Sequence, residues 1–157
     1  MATDIYEWLD DFSNKLTKYD TVVCDAGSSY YLTHQHLRLP EGCRLLVDLS
    51  QGALGFAIPA AIGAYMAKDI GHVYVICGDG GYVWMQHNMH TIMDEGIRGI
   101  TVYVIANKGY QTIRGSQKIW CEGRHVGLQE DLFISSYQPH TRVLRGKDYE
   151  VRRPVIG

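Results

Sequence analysis

Two apolar runs, each followed at once by a polar, glycine-containing loop, constrain the fold of this chain more than any other feature. The first run, Val73–Ile76, leads into Cys77-Gly78-Asp79-Gly80-Gly81, and the second, Ile100–Ala106, leads into Asn107-Lys108-Gly109. A segment of helical period, Tyr82–Glu95, lies between them. This order predicts a parallel sheet, in which both loops lie at the carboxyl edge, where such sheets bind ligands. Asp79 and Asn107 are therefore expected to be neighbours in space.

The chemistry of this pair predicts a cation. Glycine-rich turns that lead into helices bind phosphate groups through their backbone N–H groups. A carboxylate among the glycines repels a diphosphate unless a cation lies between them. Asp79, the amide of Asn107 and a backbone carbonyl provide the oxygen ligands that Mg²⁺ prefers when it carries a phosphorylated ligand. Taken singly, Asp79 is better explained as a helix cap and Asn107 as a loop residue, but their combination favours a magnesium–diphosphate site.

Two motifs together resemble a known family. Gly78-Asp79-Gly80, followed 28 positions after Asp79 by Asn107, is similar to the cofactor motif of thiamine diphosphate enzymes. The upstream block Gln51–Ala64, QGALGFAIPAAIGA, resembles the acetolactate synthase branch of that family. The resemblance runs from about Thr21 to about Gln117.

The resemblance implies a fold and a set of site residues. The fold is three-layer α/β, a mostly parallel sheet with helices on both faces, with the sheet shortened at the C-terminus. The metal ligands are Asp79, Asn107 and Gly109. The cofactor-binding residues are Ala26, Gly27, Ser28, Ser29, Gly52, Leu54, Gly78, Asp79, Gly80, Gly81, Asn107, Gly109 and Tyr110. Tyr110 begins a segment, Tyr110–Gln117, that resembles the loop covering the diphosphate.

Two of these assignments have plain structural alternatives. The turn Ala26-Gly27-Ser28-Ser29 follows the predicted strand Thr21–Cys24 and resembles a segment that contacts the cofactor's phosphates, but it is equally typical of a turn that caps the next helix. Leu54 resembles the apolar wedge that bends the cofactor, with the carbonyl of Gly52 accepting from its 4′-amino group. A leucine in that block is also typical of core packing.

Composition bounds the class of protein. The 157 residues are 46% hydrophobic, which suits one folded domain over residues 1–157 with a diverged tail over about 137–157. The net charge of −2 favours neither nucleic-acid nor anionic-membrane binding. An acidic N-terminal segment without a signal-peptide pattern, and apolar runs too short to span a bilayer, predict a cytoplasmic protein. The four cysteines show no CxxC spacing and are expected to be reduced.

The resemblance covers only the diphosphate-binding half of a thiamine diphosphate enzyme. The glutamate that activates the aminopyrimidine lies, in that family, on a separate pyrimidine-binding domain. We therefore expect a subunit of a split decarboxylase (a lyase) or acetolactate synthase-like carboligase (a transferase), acting on a small 2-oxo acid. It is expected to be inactive alone, to require a pyrimidine-domain partner in a hetero-oligomer, and to self-associate. The alternative is a non-catalytic cofactor-binding module or truncated relic. A dinucleotide-binding domain is disfavoured because GDGGY lacks the third glycine of GxGxxG.

Overall fold

The computed structural model describes residues 4–67, 71–128 and 140–145. Within them the chain forms six helices and five strands, whose bounds are given in chain order. They are α1 Ile5–Ser13, β1 Thr21–Cys24, α2 Ser28–His36, β2 Arg44–Leu46, α3 Ala57–Met66, β3 Val73–Gly78, α4 Asp79–Met85, α5 Asn88–Asp94, β4 Ile100–Ala106, α6 Gln111–Trp120 and β5 Thr141–Arg145.

The five strands form one sheet in the order β2-β1-β3-β4-β5, and every pair of neighbours is parallel. Val75, for example, pairs with Val23 on one side and with Val102 on the other. Because all strands run the same way, the loops that follow β1, β3 and β4 lie at one edge. The predicted α/β class and the parallel sheet are confirmed.

Side chains that alternate along the strands form a core on each face of the sheet. Val23, Val75 and Val102 belong to a buried cluster with residues of α3, α4 and α5. Val22 and Ile105 point the other way and belong to a second cluster with α1 and α2. The sheet is thus the middle of three layers, as predicted, because each face buries the apolar stripe of its helices.

The helix predicted over Tyr82–Glu95 is divided into α4 and α5. The side-chain amide of Asn88 donates to the carbonyl of Met85 at 3.1 Å, and so replaces a bond of the helical ladder. The N–H of Met89 donates to the Gln86 carbonyl at 3.0 Å in a tighter turn. The apolar stripe survives the break, because Met85 and Met89 are both buried.

The structure also differs from the sequence-based prediction after Asn107. The segment predicted as a covering loop, Tyr110–Gln117, is helical from Gln111 onward as part of α6. The sheet was expected to be shortened at the C-terminus, but β5 pairs with β4, with Thr141 opposite Val102. A short edge strand has little pattern of its own and is identified by its pairing. The rest of the tail predicted over 137–157 lies outside the described residues.

The cysteines differ widely in exposure. Cys24 and Cys77 are buried, Cys43 is half-buried and Cys121, just after α6, is exposed; none is in a disulfide. Burial raises the pKa of the Cys24 thiol to about 12. No helix in the described part of the chain is long and apolar enough to cross a bilayer.

Candidate functional site

The loops after β3 and β4 meet through one carboxylate, that of Asp79. Its Oδ2 accepts from the backbone N–H groups of Asn107 at 3.1 Å and Gly109 at 3.0 Å. Its Oδ1 accepts from the N–H of Gly80 at 2.8 Å. The expected proximity of Asp79 and Asn107 is therefore observed.

The turn after β4 has the backbone geometry that this contact requires. Lys108 and Gly109 both have left-handed backbone, with φ of 65° and 93°. That conformation is uncommon for a lysine and costs free energy, so the surroundings must hold it in place. The turn brings the N–H of Gly109 to Asp79 and its carbonyl oxygen toward the side chain of Asn107.

Three oxygen-bearing groups converge beside this turn. One end of the Asn107 side-chain amide lies 3.3 Å from Asp79 Oδ1 and 3.0 Å from the Gly109 carbonyl oxygen. With the amide nitrogen at that end, Asn107 donates to both oxygens. With the amide oxygen there, three oxygens face one another, an arrangement that a bound cation would stabilise.

This donor set is of the kind that Mg²⁺ takes. No three His, Cys, Asp or Glu side chains cluster anywhere in the described residues. The groups that converge beside this turn are one carboxylate and neutral oxygens, which suit a hard cation better than zinc or an iron–sulfur cluster. Burial raises the pKa of the Asp79 carboxyl, while N–H donation from Gly109, Gly80 and Asn107 lowers it. A bound cation would further favour the ionised carboxylate.

A cavity of about 460 Å³ lies beside Asp79 and Asn107. All but two of the residues predicted to bind the cofactor line it. Those that do are Ala26, Gly27, Ser28, Gly52, Leu54, Gly78, Asp79, Gly80, Asn107, Gly109 and Tyr110.

The other two predicted residues, Ser29 and Gly81, lie beneath the cavity. The Ser29 hydroxyl is buried and donates to the carbonyls of Asp25 at 3.1 Å and Ala26 at 2.8 Å. Gly81 is buried against the Asp25 carboxylate, and a Cβ added there would overlap Oδ2. Both residues contact the strand end after β1 and do not face the open volume.

The N-termini of α2 and α6 border the cavity. Neither helix has a side-chain cap, and uncapped helix starts are where anions bind in other phosphate sites, although the N–H of Gln111, the first of α6, donates to the Gly109 carbonyl at 2.8 Å. Gly27 precedes α2 with φ of 77°. The hydroxyls of Ser28 and Thr112 lie 3.2 Å apart and join the two helix starts. Two partly positive helix ends therefore converge on one side of the cavity.

The loop between β2 and α3 borders another side of the cavity and carries Gly52 and Leu54. Asp48 organises it by accepting from the N–H groups of Gln51 and Ala53, both at 3.1 Å, and these bonds lower the pKa of its carboxyl. Gly52 adopts φ of 57°, which favours glycine. Leu54 is 44% exposed and lines the cavity, so the structure does not use it as a core residue.

An aromatic pair borders the cavity near Gly80. A Cβ added to Gly80 would lie 2.5 Å from Cε1 of Tyr110, so the tyrosine ring packs directly on the glycine. The Trp84 indole N–H donates to the Tyr110 hydroxyl at 3.1 Å. With Leu54 and Ile113 these two aromatic residues form an exposed apolar rim, which lines a second, shallower cavity.

Several lining residues were not predicted from the sequence. They are Tyr30, Tyr31, Asp48 and Leu49, whereas Gln111, Thr112 and Ile113 lie in the predicted covering segment Tyr110–Gln117 but were not named singly. Tyr30 and Tyr31 follow the predicted turn within the first turn of α2, so the helix start was a usable signal for them. The contact of Thr112 with Ser28 had no signal, because it depends on how α2 and α6 pack at the edge.

Comparison with known proteins agrees with this geometry. The model of the family described as thiamine pyrophosphate enzyme, C-terminal TPP binding domain, matches residues 25–149. The chain is 31% identical over 105 residues to the alpha-keto-acid decarboxylase of Mycobacterium bovis (strain BCG / Pasteur 1173P2), which is 67% of this chain and 18% of that protein. It is 32% identical over 99 residues to the protein of that name from Mycobacterium avium (strain 104), which is 63% of this chain and 17% of that one.

The matched segment is thus less than a fifth of the length of these relatives. The residues that the family model matches contain the whole of the edge described above, from the turn after β1 to α6. Because the family model covers most of the chain, this protein belongs to the thiamine pyrophosphate enzymes, as a C-terminal thiamine pyrophosphate-binding domain.

Proposed function

We propose that this chain is the diphosphate- and Mg²⁺-binding half of a thiamine diphosphate-dependent 2-oxo acid decarboxylase or acetolactate synthase-like carboligase, completed by a partner chain that carries the pyrimidine domain. The observation that carries the proposal is the convergence of Asp79, Asn107 and Gly109 beside a cavity that two uncapped helix starts also border. The name of the similar mycobacterial proteins, alpha-keto-acid decarboxylase, supports decarboxylation of a 2-oxo acid.

Mg²⁺ would be held by Asp79 Oδ1, the side-chain oxygen of Asn107 and the carbonyl of Gly109. Phosphate oxygens and water would complete its shell. The Asp79 carboxylate has its second oxygen fixed by two N–H groups, which leaves Oδ1 oriented toward the cation. In this arrangement Asn107 must present its oxygen, so metal binding selects one of the two orientations of its amide.

The diphosphate would lie against the starts of α2 and α6. Gly27 and Ser28 offer backbone N–H groups there, and Ser28 and Thr112 offer hydroxyls. Tyr110, packed on Gly80, would cover the phosphates from the solvent side.

The rest of the cofactor would meet the β2–α3 loop. Leu54 would be the wedge that keeps the thiazolium and pyrimidine rings bent toward each other, and Gly52 would accept from the amino group. When bound, thiamine diphosphate supplies the carbanion chemistry that releases carbon dioxide from a 2-oxo acid. The residues of this chain bind the cofactor, orient it and exclude water from its phosphates.

Two observations support a partner. The cavity lining includes Asp48 and Asp79 but no glutamate among the described residues, so the acid that activates the pyrimidine would come from elsewhere. The apolar rim is also open to solvent: Trp84 is 65% exposed and Ile113 49%. Exposed apolar side chains around a binding site are typical of an interface. We place the pyrimidine domain on this rim, in a hetero-oligomer that self-associates further.

Calorimetry tests the binding half of the proposal. The chain is titrated with thiamine diphosphate in Mg²⁺ and again in EDTA, with NAD as the comparison ligand. We expect weak, strictly Mg²⁺-dependent binding of thiamine diphosphate and none of NAD. Metal-independent binding, or a preference for NAD, would contradict it.

Catalysis requires a second experiment. The chain is mixed with a pyrimidine-domain polypeptide, and carbon dioxide release from pyruvate and larger 2-oxo acids is measured. Turnover is expected only with both chains present. Robust turnover by the purified single chain would overturn the partner requirement, and cofactor binding without turnover would favour a non-catalytic module.

A further inference from the structure

Asp25 is a fully buried carboxylate that follows β1 and does not line the cavity. Its Oδ1 accepts from the N–H groups of Phe56 at 3.0 Å, Gly55 at 3.1 Å and Ala57 at 3.3 Å. Those three groups form the start of α3. A residue at the end of one strand thus caps a helix that begins about 30 positions later in the chain.

This cap is unusual among the helices that start at this edge. The N-cap position of α3 is Phe56, whose side chain cannot accept a hydrogen bond. The starts of α2 and α6 also lack side-chain caps, but they border the cavity. Only the α3 start, of these three, has its donors occupied by a buried carboxylate. A diphosphate would therefore bind at the uncapped starts of α2 and α6. The N–H groups at the start of α3 already donate to Asp25 and are not available to it.

Three segments of the site meet at this carboxylate. Asp25 itself immediately precedes the turn Ala26-Gly27. Its N–H partners at Gly55 and Phe56 directly follow Leu54 in the chain. Its Oδ2 packs on Gly81, where a Cβ would overlap it and would also lie 3.5 Å from Leu54 Cδ1. Asp25 therefore contacts the phosphate turn, the Leu54 loop and the Asp79 helix at once.

Burying the Asp25 carboxylate costs more free energy than capping α3 would require. A buried carboxylate loses its hydration, and burial raises the pKa of Asp25 despite the N–H groups donated to it. A serine or aspartate at position 56 would cap α3 locally at lower cost. Such a local cap would not connect the Leu54 loop to the phosphate turn, whereas Asp25 does.

We propose that Asp25 is a positioning residue, which holds the loop bearing Gly52 and Leu54 at a fixed distance from the Asp79–Asn107 diphosphate site. The phosphate and ring portions of the cofactor bind to different segments, and one carboxylate fixes the spacing between them. The cofactor named here rests on the proposed function, whereas the contacts that assign the role to Asp25 do not.

The test compares two ligands that share the phosphate portion. In Mg²⁺, calorimetry measures the affinities of thiamine diphosphate and inorganic pyrophosphate for the whole chain and for Asp25→Asn. The variant keeps the size of the side chain but replaces one acceptor oxygen by an N–H₂ donor. We expect pyrophosphate affinity to change less than about threefold and thiamine diphosphate affinity to fall about tenfold, since only the second ligand needs the Leu54 loop in place.

Asp20→Asn is the matched control, because Asp20 is also buried and accepts from two backbone N–H groups, but at the opposite end of β1. We expect this variant to lose thermal stability and to keep the wild-type ratio of the two affinities. A purely structural role for Asp25 predicts that both variants lose stability and both keep that ratio, and this result would overturn the proposal.

Gly81→Ala gives a second route if Asp25→Asn does not fold. Its new Cβ displaces the same carboxylate from the opposite side. The ratio of thiamine diphosphate affinity to pyrophosphate affinity should therefore fall, as in Asp25→Asn. In the double variant the two effects should be less than additive, because both act through one contact. An unchanged ratio in Gly81→Ala would overturn the positioning role. Failure of the wild-type chain to bind thiamine diphosphate more tightly than pyrophosphate would instead overturn the proposed function, and the inference with it.

Discussion

An aspartate lies at each end of β1, but the polar groups around the two aspartates differ. At the amino end, Asp20 accepts from the N–H groups of Thr17 at 2.8 Å and His72 at 2.9 Å, and the His72 ring lies 2.8 Å from the Thr101 hydroxyl. At the carboxyl end, Asp25 also accepts backbone N–H groups, but the neighbouring helix starts stay uncapped around a cavity. At the amino edge both oxygens of Asp20 have backbone donors, although the neighbouring Thr21 hydroxyl is buried without a partner among the described residues, and the carboxyl edge leaves several polar groups for a ligand.

This contrast separates stability from binding. Buried polar groups that pair within the protein stabilise the fold, since leaving any of them unpaired costs free energy. A ligand that binds only the folded chain adds to its stability, so groups at the carboxyl edge that serve a ligand contribute mainly when it is bound. Substitutions at the amino edge should therefore change the free energy of unfolding, and those at the carboxyl edge should mainly change ligand affinity.

The largest effect is expected from Asp79→Ala. Removal of the one carboxylate at the metal site should lower Mg²⁺-dependent thiamine diphosphate affinity by about 100-fold or more, since a cation and a phosphate ligand both depend on it. The fold should survive with lower stability, because the backbone N–H groups of Gly80, Asn107 and Gly109 lose their acceptor while the apolar clusters on both faces of the sheet stay intact. Calorimetry and thermal unfolding measure the two quantities; unchanged affinity would place the cation elsewhere.

Asp20→Asn should instead lower stability and leave affinity nearly unchanged. An amide at this position presents a donor to the N–H of Thr17 or His72, which should cost about 1–3 kcal/mol of unfolding free energy. Thiamine diphosphate affinity should stay within about twofold of wild type under native conditions. Urea unfolding and calorimetry check this pair of values. A large loss of affinity with stability intact would break the proposed division between the two edges.

A smaller change is expected from Gly80→Ala. The new Cβ would contact the Tyr110 ring and move it away from the position over the phosphate site. Cofactor affinity should fall about tenfold. Tyr110→Ala in the same chain removes the clash, so the double variant should bind no worse than Tyr110→Ala alone. If the double variant is worse, Gly80 acts on the phosphates directly.

The smallest effect concerns pH at the amino edge. Burial lowers the pKa of His72 below its ordinary value of 6.5, against the opposing influence of Asp20 and with a smaller contribution from His140. The unfolded chain then binds a proton before the folded one does, so stability should fall as the pH drops below about 6.5. His72→Gln should reduce this acid-induced loss of unfolding free energy by only a fraction of a kcal/mol, because the ring is partly solvated. His34→Gln, at an exposed position of α2, serves as the control in unfolding curves between pH 5 and 8.

Features set by local pattern were predictable from the sequence. β1 and β4 were predicted with the bounds that the structure has, because an apolar run flanked by polar turns is distinctive at that length. The neighbourhood of Asp79 and Asn107 followed from parallel topology alone. The individual cofactor-binding residues came instead from the resemblance to thiamine diphosphate enzymes.

Features set by distant contacts were not. The break between α4 and α5 depends on one amide of Asn88 reaching a carbonyl, which periodicity does not register. The role of Asp25 was not predictable from the sequence, because the packing of α3 on the sheet is what brings its partners at Gly55, Phe56 and Ala57 to it. Ser29 is predicted to bind the cofactor, and the sequence does not show that its hydroxyl donates to the carbonyls of Asp25 and Ala26.

The uneven exposure of the thiols has a practical consequence. Cys24 and Cys77 are sealed in the interior and their pKa values are raised by burial, and burial also raises the pKa of half-buried Cys43. A maleimide dye added to the native protein should therefore attach first at Cys121, directly after α6. A single fluorophore would then sit at the end of the helix whose start borders the cavity. Docking of a second polypeptide could be followed by fluorescence without engineering the chain.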